Sequence, residues 1–198
     1  ALRLRDENAN STYLTEMAGE RADYYRRNKE YDKADQIYEQ LVEDAGSSDA
    51  RYSAMLSRAE LFADKGNIQK SISLLEEILN TQKEAAIPFK SQAVLQAAET
   101  FHEKEQYEKG LAFIAENKEK LSGNSYAKNE ISIWEARLQI QSKEFKKARA
   151  TLQPLLQKQD YVIPAKFYLG KSYYKDQLHS DAYDSFKSVA QKKESSLA

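Results

Sequence analysis

Residues 165–190 have the sequence AKFYLGKSYYKDQLHSDAYDSFKSVA, in which two short amphipathic patterns follow one another. Gly170 and Tyr173 share one helical face, and Ala182 and Phe186 share another, because residues three and four apart lie on the same side of a helix. Twelve residues separate Gly170 from Ala182. We expect two antiparallel helices here, with the two small residues letting their backbones approach closely.

The same spacing of small residues recurs upstream. Five pairs have a Gly, Ala or Ser followed twelve residues later by another, and these are Ala22/Ala34, Ala59/Ser71, Ala98/Gly110, Ala136/Ala148 and Gly170/Ala182. Three positions after the first small residue stand Tyr25, Phe62, Phe101, Gln139 and Tyr173. Four positions after the second stand Tyr38, Leu75, Ile114, Leu152 and Phe186. A unit that returns every 34 to 39 residues indicates a repeat architecture. Only Gln139 departs from the aromatic position, and we expect Leu138 and Ile140 to pack in its place.

The best copy resembles the tetratricopeptide repeat (TPR) family. Leu169-Gly170-x2-Tyr173 followed by Ala182-x3-Phe186 matches the pattern of that family, whose period is about 34 residues. The resemblance covers about residues 12–193, with insertions in the loops after the first three repeats.

The resemblance implies an all-α fold, a right-handed α-solenoid of stacked antiparallel helix pairs. We expect a single TPR-like solenoid domain over residues 1–198. Its five repeats are predicted at about 12–46, 49–84, 88–122, 125–160 and 163–193.

Turn and cap residues predict where helices begin and end. Ser48 or Asp49 is expected to cap the third helix, and Gly66 to form the tight turn of the second repeat. Pro88 suits the first turn of a helix, whereas Pro154 predicts a kink or an early break. Residues 1–11 either extend the first helix or fray.

Composition excludes several classes of protein. Hydrophobic residues make up 41% and charged residues 31% of the chain, its mean hydropathy is −0.78, and the sequence contains no apolar run long enough to span a membrane. A net charge of −1 argues against nucleic acid as a partner. The absence of cysteine excludes disulfides and thiolate metal sites, and by a small margin it favours export to a periplasm over the cytoplasm.

Catalytic motifs are lacking. The GKS at residues 170–172 is part of a phosphate-binding loop motif, but that motif needs a glycine where Ala165 stands, and the segment is predicted to be helical. His102 and His179 are the only histidines, and neither has a second ligand at metal-binding spacing. We therefore expect no enzyme activity, no cofactor and no metal.

The TPR resemblance implies a ligand groove lined by the first helix of each repeat. The position after each first small residue would face this groove, and its charge changes from acidic to basic along the chain: Asp23, Glu60, Glu99, Arg137 and Lys171. Further groove candidates are Arg26, His102, Ile133, Trp134, Phe167 and Tyr174. The set of Lys, Asn and Arg with which some TPR domains grip a peptide carboxylate is absent.

Two hypotheses concern the C-terminal half of this groove. In the first, Trp134, Arg137, Phe167, Lys171 and Tyr174 bind an apolar or acidic peptide segment, since aromatic and arginine side chains are common interface anchors. In the second, Trp134 and Phe167 pack between neighbouring repeats and bind nothing.

Two functions fit the sequence as a whole. The first is a non-catalytic protein–protein interaction scaffold or adaptor, such as an assembly factor of a bacterial envelope. The alternative is a TPR spacer or sensor domain of a larger enzyme, receptor or regulator. Either would have a protein or peptide partner. Self-association through Tyr183, Phe186 and Val189 of the last repeat is a further prediction.

Overall fold

The structure, a computed structural model, describes residues 2–82, 86–121 and 125–195, without the side chains of residues 2–12, 87, 125 and 192–195. These residues form ten α-helices and no strand, so the predicted all-α class is confirmed. The helices are α1 (Leu2–Arg27), α2 (Tyr31–Glu43), α3 (Ser48–Asp64), α4 (Ile68–Asn80), α5 (Ile87–Glu103), α6 (Tyr107–Asn117), α7 (Ser125–Gln141), α8 (Phe145–Leu152), α9 (Val162–Lys175) and α10 (His179–Ser195). The predicted repeat ends at 84 and 122 lie outside the described residues.

The chain divides into two compact units, Ala1–Ala93 and Val94–Ala198. In the first unit α2 packs against both α1 and α3, and α3 packs against α4. In the second unit α7 packs against α6, α8 and α9, and α9 packs against α8 and α10. Each unit is thus built from sequential helix pairs. The single solenoid domain stays a prediction.

The ten small residues that define the repeat are all buried. Two of them are glycines with little room for a side chain: a Cβ atom on Gly110 would lie 2.9 Å from a methyl group of Leu138, and one on Gly170 would lie 2.7 Å from the ring of Phe186. Such separations are below van der Waals contact, so a side chain at either position would force its neighbour to move. Within the last pair, the close neighbour of Gly170 is therefore the Phe186 ring.

Each helix pair turns through one residue in the left-handed backbone region. It always stands seven positions after the first small residue, and its φ is positive: Lys29 (62°), Gly66 (84°), Glu105 (56°), Lys143 (62°) and Gln177 (62°). The amide of the next residue donates to the carbonyl five residues earlier, at 2.8–2.9 Å in all five copies. This is the Schellman motif, which satisfies the carbonyls left free at a helix end. Only Gly66 was predicted to form such a turn.

Gln139, which stands where the other four repeats have an aromatic residue, is buried inside the second unit. Its Oε1 accepts a hydrogen bond from Thr151 Oγ1 at 3.0 Å. Leu138 and Ile140 are both buried beside it, as expected. A buried amide with a hydrogen-bond partner avoids most of the cost of removing a polar group from water.

Helix ends agree with the sequence except at one cap. Ser47, in extended conformation, accepts a hydrogen bond from the amide of Ala50 at 3.2 Å and caps α3, so the prediction of Ser48 or Asp49 was wrong by a residue. The break predicted near Pro154 is confirmed, because α8 ends at Leu152 and a 3-10 helix follows over Gln153–Gln157. Residues 2–11 extend α1 rather than fray.

Candidate functional site

The second unit contains a pocket of about 530 Å³ formed by side chains of α5, α7, α9 and α10. We call it the C-terminal pocket, and it is lined by His102, Arg137, Ile140, Gln141, Tyr168, Lys171, Tyr174, Lys175 and Phe186. Its wall combines aromatic rings with cationic side chains. No carboxylate lines it among the described residues.

Arg137 is held in this pocket by an aromatic stack. Its guanidinium carbon lies 3.4 Å from the ring centroid of Trp134 and 5.7 Å from that of Tyr168. In the described part of the chain, no Asp or Glu comes within ion-pair distance of Arg137. A guanidinium stacked on its face keeps its N–H edge available for hydrogen bonds. Arg137 is therefore positioned but not neutralised.

Lys171 extends the positive wall on α9. Its ammonium group lies 5.2 Å from the ring centroid of Phe167 and 5.6 Å from that of Tyr168. Lys175, one helical turn further on, also lines the pocket. Neither lysine has an ion-pair partner within the described ranges. The pocket thus concentrates positive charge beside apolar surface.

His102 completes the wall from α5. Its ring stands edge-on to Trp134, with 5.8 Å between centroids, and to Tyr107, with 5.9 Å between centroids. Burial lowers the pKa of His102 below its usual 6.5, and the charges of Arg137 and Lys171 lower it further against a smaller opposing effect of Glu103. His102 is therefore neutral at physiological pH.

The first unit contains a second pocket, of about 560 Å³, between α1, α2 and α3. We call it the N-terminal pocket, and it is lined by Thr15, Glu16, Gly19, Asp23, Tyr38, Leu41, Gly46, Ser47, Ala50, Ser53, Ala54 and Ser57. Most of these side chains are small. Asp23 accepts a hydrogen bond from the hydroxyl of Tyr38. Burial raises the pKa of Tyr38, and the hydrogen bond to Asp23 raises it further, so the phenol remains a donor.

Gly19 is the unusual residue of the N-terminal pocket, because it lies in the interior of α1. A glycine there costs about 1 kcal/mol relative to alanine. A Cβ atom at Gly19 would meet nothing within 4 Å, in contrast to Gly170. Packing therefore does not explain this glycine, and the open space beside it belongs to the pocket.

The acidic groove candidates of the first unit form an ion-pair cluster. Arg26 lies 2.7 Å from Glu60 and 2.8 Å from Asp64, both on α3, and 3.9 Å from Asp23. The side chain of Arg26 is only 17% exposed, so its charge is already matched within the protein. Glu60 remains half exposed, and Glu99 is exposed on α5.

Ile133 is a correction to the predicted groove. It is 7% exposed and belongs to the core cluster that includes Ala136, Ala148 and Leu152. The side chains of Ile133 and Trp134 diverge because successive residues of a helix point in different directions. Ile133 is therefore not available to a ligand.

The remaining aromatic candidates lie in or beside the C-terminal pocket. Tyr174 lines it and is 60% exposed. Trp134 is half-buried beneath Arg137. Phe167 is 40% exposed, and its ring stands edge-on to that of Phe186 with 6.0 Å between the centroids. Each ring packs against a neighbouring helix and contacts residues that line the pocket, and peptide binding by Trp134 and Phe167 stays a prediction.

Some pocket residues were missed in the sequence although a signal existed. Tyr168 and Lys175 lie three residues before and four residues after Lys171, and so on the same helical face. Phe186 was predicted as a packing residue, and it both packs over Gly170 and lines the pocket.

The described residues contain no phosphate-binding loop, metal site or membrane-spanning helix. The GKS at residues 170–172 lies inside α9, with the hydroxyl of Ser172 donating to the carbonyl of Phe145 at 3.1 Å. The described residues include no group of three or more His, Asp or Glu side chains arranged to hold a metal ion. None of the described helices is both long enough and apolar enough to cross a membrane.

Comparisons with known proteins agree with this architecture. Residues 20–48 match the sequence model of a tetratricopeptide repeat, TPR_6. Crystallised TPR-like repeats of a Podosopora anserina kinesin light chain are similar, with a TM-score of 0.62, 13% identity and coverage of 91% of this chain and 95% of the other. MamA (AMB-1) is similar with a TM-score of 0.57, 14% identity and coverage of 90% and 98%. A comparison with curated protein sequences finds no significant match. The chain therefore contains a tetratricopeptide repeat and is built from helix pairs of the tetratricopeptide-repeat fold.

Proposed function

We propose that this chain is a non-catalytic interaction scaffold whose C-terminal pocket binds an acidic, partly apolar peptide segment of a protein partner. The TPR fold supports a role in protein–protein interaction in general. The observation that carries the finer proposal is the pairing of Arg137 with Trp134 in a pocket that no carboxylate neutralises among the described residues.

The size and lining of the pocket suit a peptide side chain. A volume of about 530 Å³ falls within the range of about 300–1,000 Å³ typical of ligand sites. Tyr168, Tyr174 and Phe186 offer apolar surface with few rotatable bonds, so ordering them on binding costs little entropy. The pocket therefore combines the aromatic and arginine anchors that dominate binding energies at interfaces.

The charge of the pocket selects the ligand. Arg137, Lys171 and Lys175 contribute three cations, and His102 is neutral. Burying these cations against an apolar segment alone would leave them unpaired, which is costly. Asp or Glu side chains next to an aromatic or aliphatic residue would pair with the cations while the apolar residue contacts the rings.

A selection from a displayed library of random peptides tests the proposal. We expect the enriched peptides to combine acidic and aromatic residues and to bind the variant R137E/K171E at least about tenfold more weakly, a difference of about 1.4 kcal/mol. The matched control is K109E/K146E, which makes the same change in charge at exposed lysines outside the C-terminal pocket.

Two results would contradict the proposal. One is an equal loss of affinity in the control variant, which would indicate attraction to net charge alone. The other is the absence of any selected peptide, which would favour the alternative of a spacer or sensor domain in a larger protein. A role in assembly of a bacterial envelope is a separate proposal that rests on the lack of cysteine, and fractionation of the native cell tests it.

A further inference from the structure

The N-terminal pocket is unlike the C-terminal pocket in its charge and in its lining. It contains two carboxylates, Glu16 and Asp23, and no cationic side chain lines it among the described residues. Residues 1–50 carry 12 acidic and 7 basic side chains, so the surrounding sequence is acidic as well. A cation entering this pocket would therefore meet favourable charge both nearby and at longer range.

Asp23 is fixed in place by a buried donor. The hydroxyl of Tyr38 donates to Oδ1 of Asp23, and Tyr38 is only 2% exposed, so the packing of the core holds this hydroxyl. The side chain of Asp23 is 42% exposed and lines the pocket. No described residue donates a hydrogen bond to its Oδ2. Asp23 is thus an oriented carboxylate with one oxygen available to a ligand.

Arg26 forms only a long ion pair with Asp23 and does not donate a hydrogen bond to it. The closest approach between the two side chains is 3.9 Å, beyond hydrogen-bond distance. The terminal nitrogen of Arg26 instead lies 2.7 Å from Glu60 and 2.8 Å from Asp64. The charge of Arg26 is therefore shared with α3, and Asp23 retains the capacity to bind a second cation.

The shape of the pocket favours a long and narrow group. The space above Gly19 is empty, and Ser53 and Ser57 on α3 add small polar side chains to the wall. A side chain with an aliphatic stem and a terminal cation would place its stem along Gly19 and its charge at Asp23. Arginine and lysine are the protein side chains with this form.

We propose that the N-terminal pocket binds an arginine or lysine side chain from a basic segment of a protein partner, with Asp23 as its anionic anchor. This site is distinct from the C-terminal pocket and takes a ligand of opposite charge. The proposal does not depend on the proposed function of the C-terminal pocket.

Nuclear magnetic resonance of the full chain, labelled with nitrogen-15, tests this assignment. The probes are N-acetylarginine amide and its uncharged isostere N-acetylcitrulline amide. We expect the arginine probe to shift the amide signals of Gly19, Ser53 and Ser57, and the citrulline probe to bind at least about tenfold more weakly. Signals of the second unit should not move with the arginine probe.

Two variants at Gly19 form a matched pair for this experiment. G19L fills the open space with a side chain that clashes with nothing at its Cβ atom, and it should abolish the shifts. G19A adds a single methyl group and should retain them. D23N should weaken binding of the arginine probe at least about tenfold.

Three outcomes would overturn the proposal. These are binding to G19L that equals wild-type binding, equal affinity for the arginine and citrulline probes, and shifts that spread across both units. Because G19L leaves the hydrogen bond between Tyr38 and Asp23 unchanged, it remains a valid test even if D23N unfolds. Peptide binding at Arg137 and Lys171 is measured separately, so failure of one site leaves the other intact.

Discussion

Replacing Lys143 with glycine should stabilise the protein. Lys143 has a φ of 62°, and its side chain is exposed. The left-handed conformation costs a residue with a Cβ atom about 1–2 kcal/mol, whereas glycine costs about 0.5–1 kcal/mol in lost backbone freedom. The difference predicts a net gain of about 0.5–1 kcal/mol for K143G. The Schellman hydrogen bond from Glu144 to Gln139, at 2.8 Å, does not involve the side chain and should persist.

The same reasoning applies to the other two turns of the second unit. Glu105 and Gln177 have φ values of 56° and 62° and are likewise exposed. Because the three turns lie in different repeats, we expect the effects to add. The triple variant E105G/K143G/Q177G should therefore gain about 1.5–3 kcal/mol. Urea unfolding followed by circular dichroism gives this value, with an unchanged dependence on urea concentration.

Gly66 provides the matched control in the reverse direction. Its φ is 84°, and a Cβ atom there would meet nothing within 4 Å, so G66A tests backbone strain without a steric clash. We expect G66A to lose about 1 kcal/mol. The reasoning fails if K143G is no more stable than the wild type while G66A is unaffected, since backbone conformation would then not determine the energy of these turns.

Two further predictions concern packing and pH. G170A should destabilise the protein, because its Cβ atom would lie 2.7 Å from the Phe186 ring. Overpacking costs about 1–3 kcal/mol, of which the better helix propensity of alanine offsets about 1 kcal/mol. F186L in the same chain should restore stability in urea unfolding, and no rescue would mean that another contact limits the site. The pKa of His102 is lowered in the folded protein, mainly by burial and then by Arg137 and Lys171, so the unfolded chain takes up a proton first as pH falls below about 6.5. As pH falls below about 6.5, the free energy of unfolding should therefore decrease in the wild type and decrease less steeply in H102Q. Parallel plots of unfolding free energy against pH for the two proteins would contradict this.

The helix pairs could be predicted from the sequence because their signal is local and steric. Small residues occur at buried contacts between helices: Ala22 is fully buried, and a Cβ atom on Gly170 would lie too close to the Phe186 ring. The spacing of twelve residues covers the end of one helix, a short turn and the start of the next helix. This spacing survives the loss of other motif residues, as Gln139 illustrates.

The turns could be located from the sequence, but their conformation could not be predicted. Glycine at position 66 signals positive φ, whereas Lys29, Lys143 and Gln177 carry no such signal. Hydrogen bonds and the packing of the two helices impose the left-handed conformation on these residues. Local propensity is thus overridden by the fold at four of the five turns.

The candidate site was predicted in outline and missed in detail. Arg137 and Lys171 were placed in the groove by position, and the structure brings them together at one pocket. The pairing of Arg26 with Glu60 could not be read from the sequence, because it depends on side-chain conformations across two helices. Whether a charge is available to a ligand is decided by such contacts rather than by residue type.

The position of Trp134 has a practical consequence. It is the single tryptophan of the chain, and its ring lies directly beneath the Arg137 guanidinium and beside His102. When the protein is excited at wavelengths that its 13 tyrosines do not absorb, its ultraviolet emission comes from one indole. The immediate surroundings of that indole change whenever Arg137 moves to meet an incoming anion. Occupancy of that cavity can accordingly be followed by intrinsic fluorescence, with no dye attached and with the first unit contributing no background.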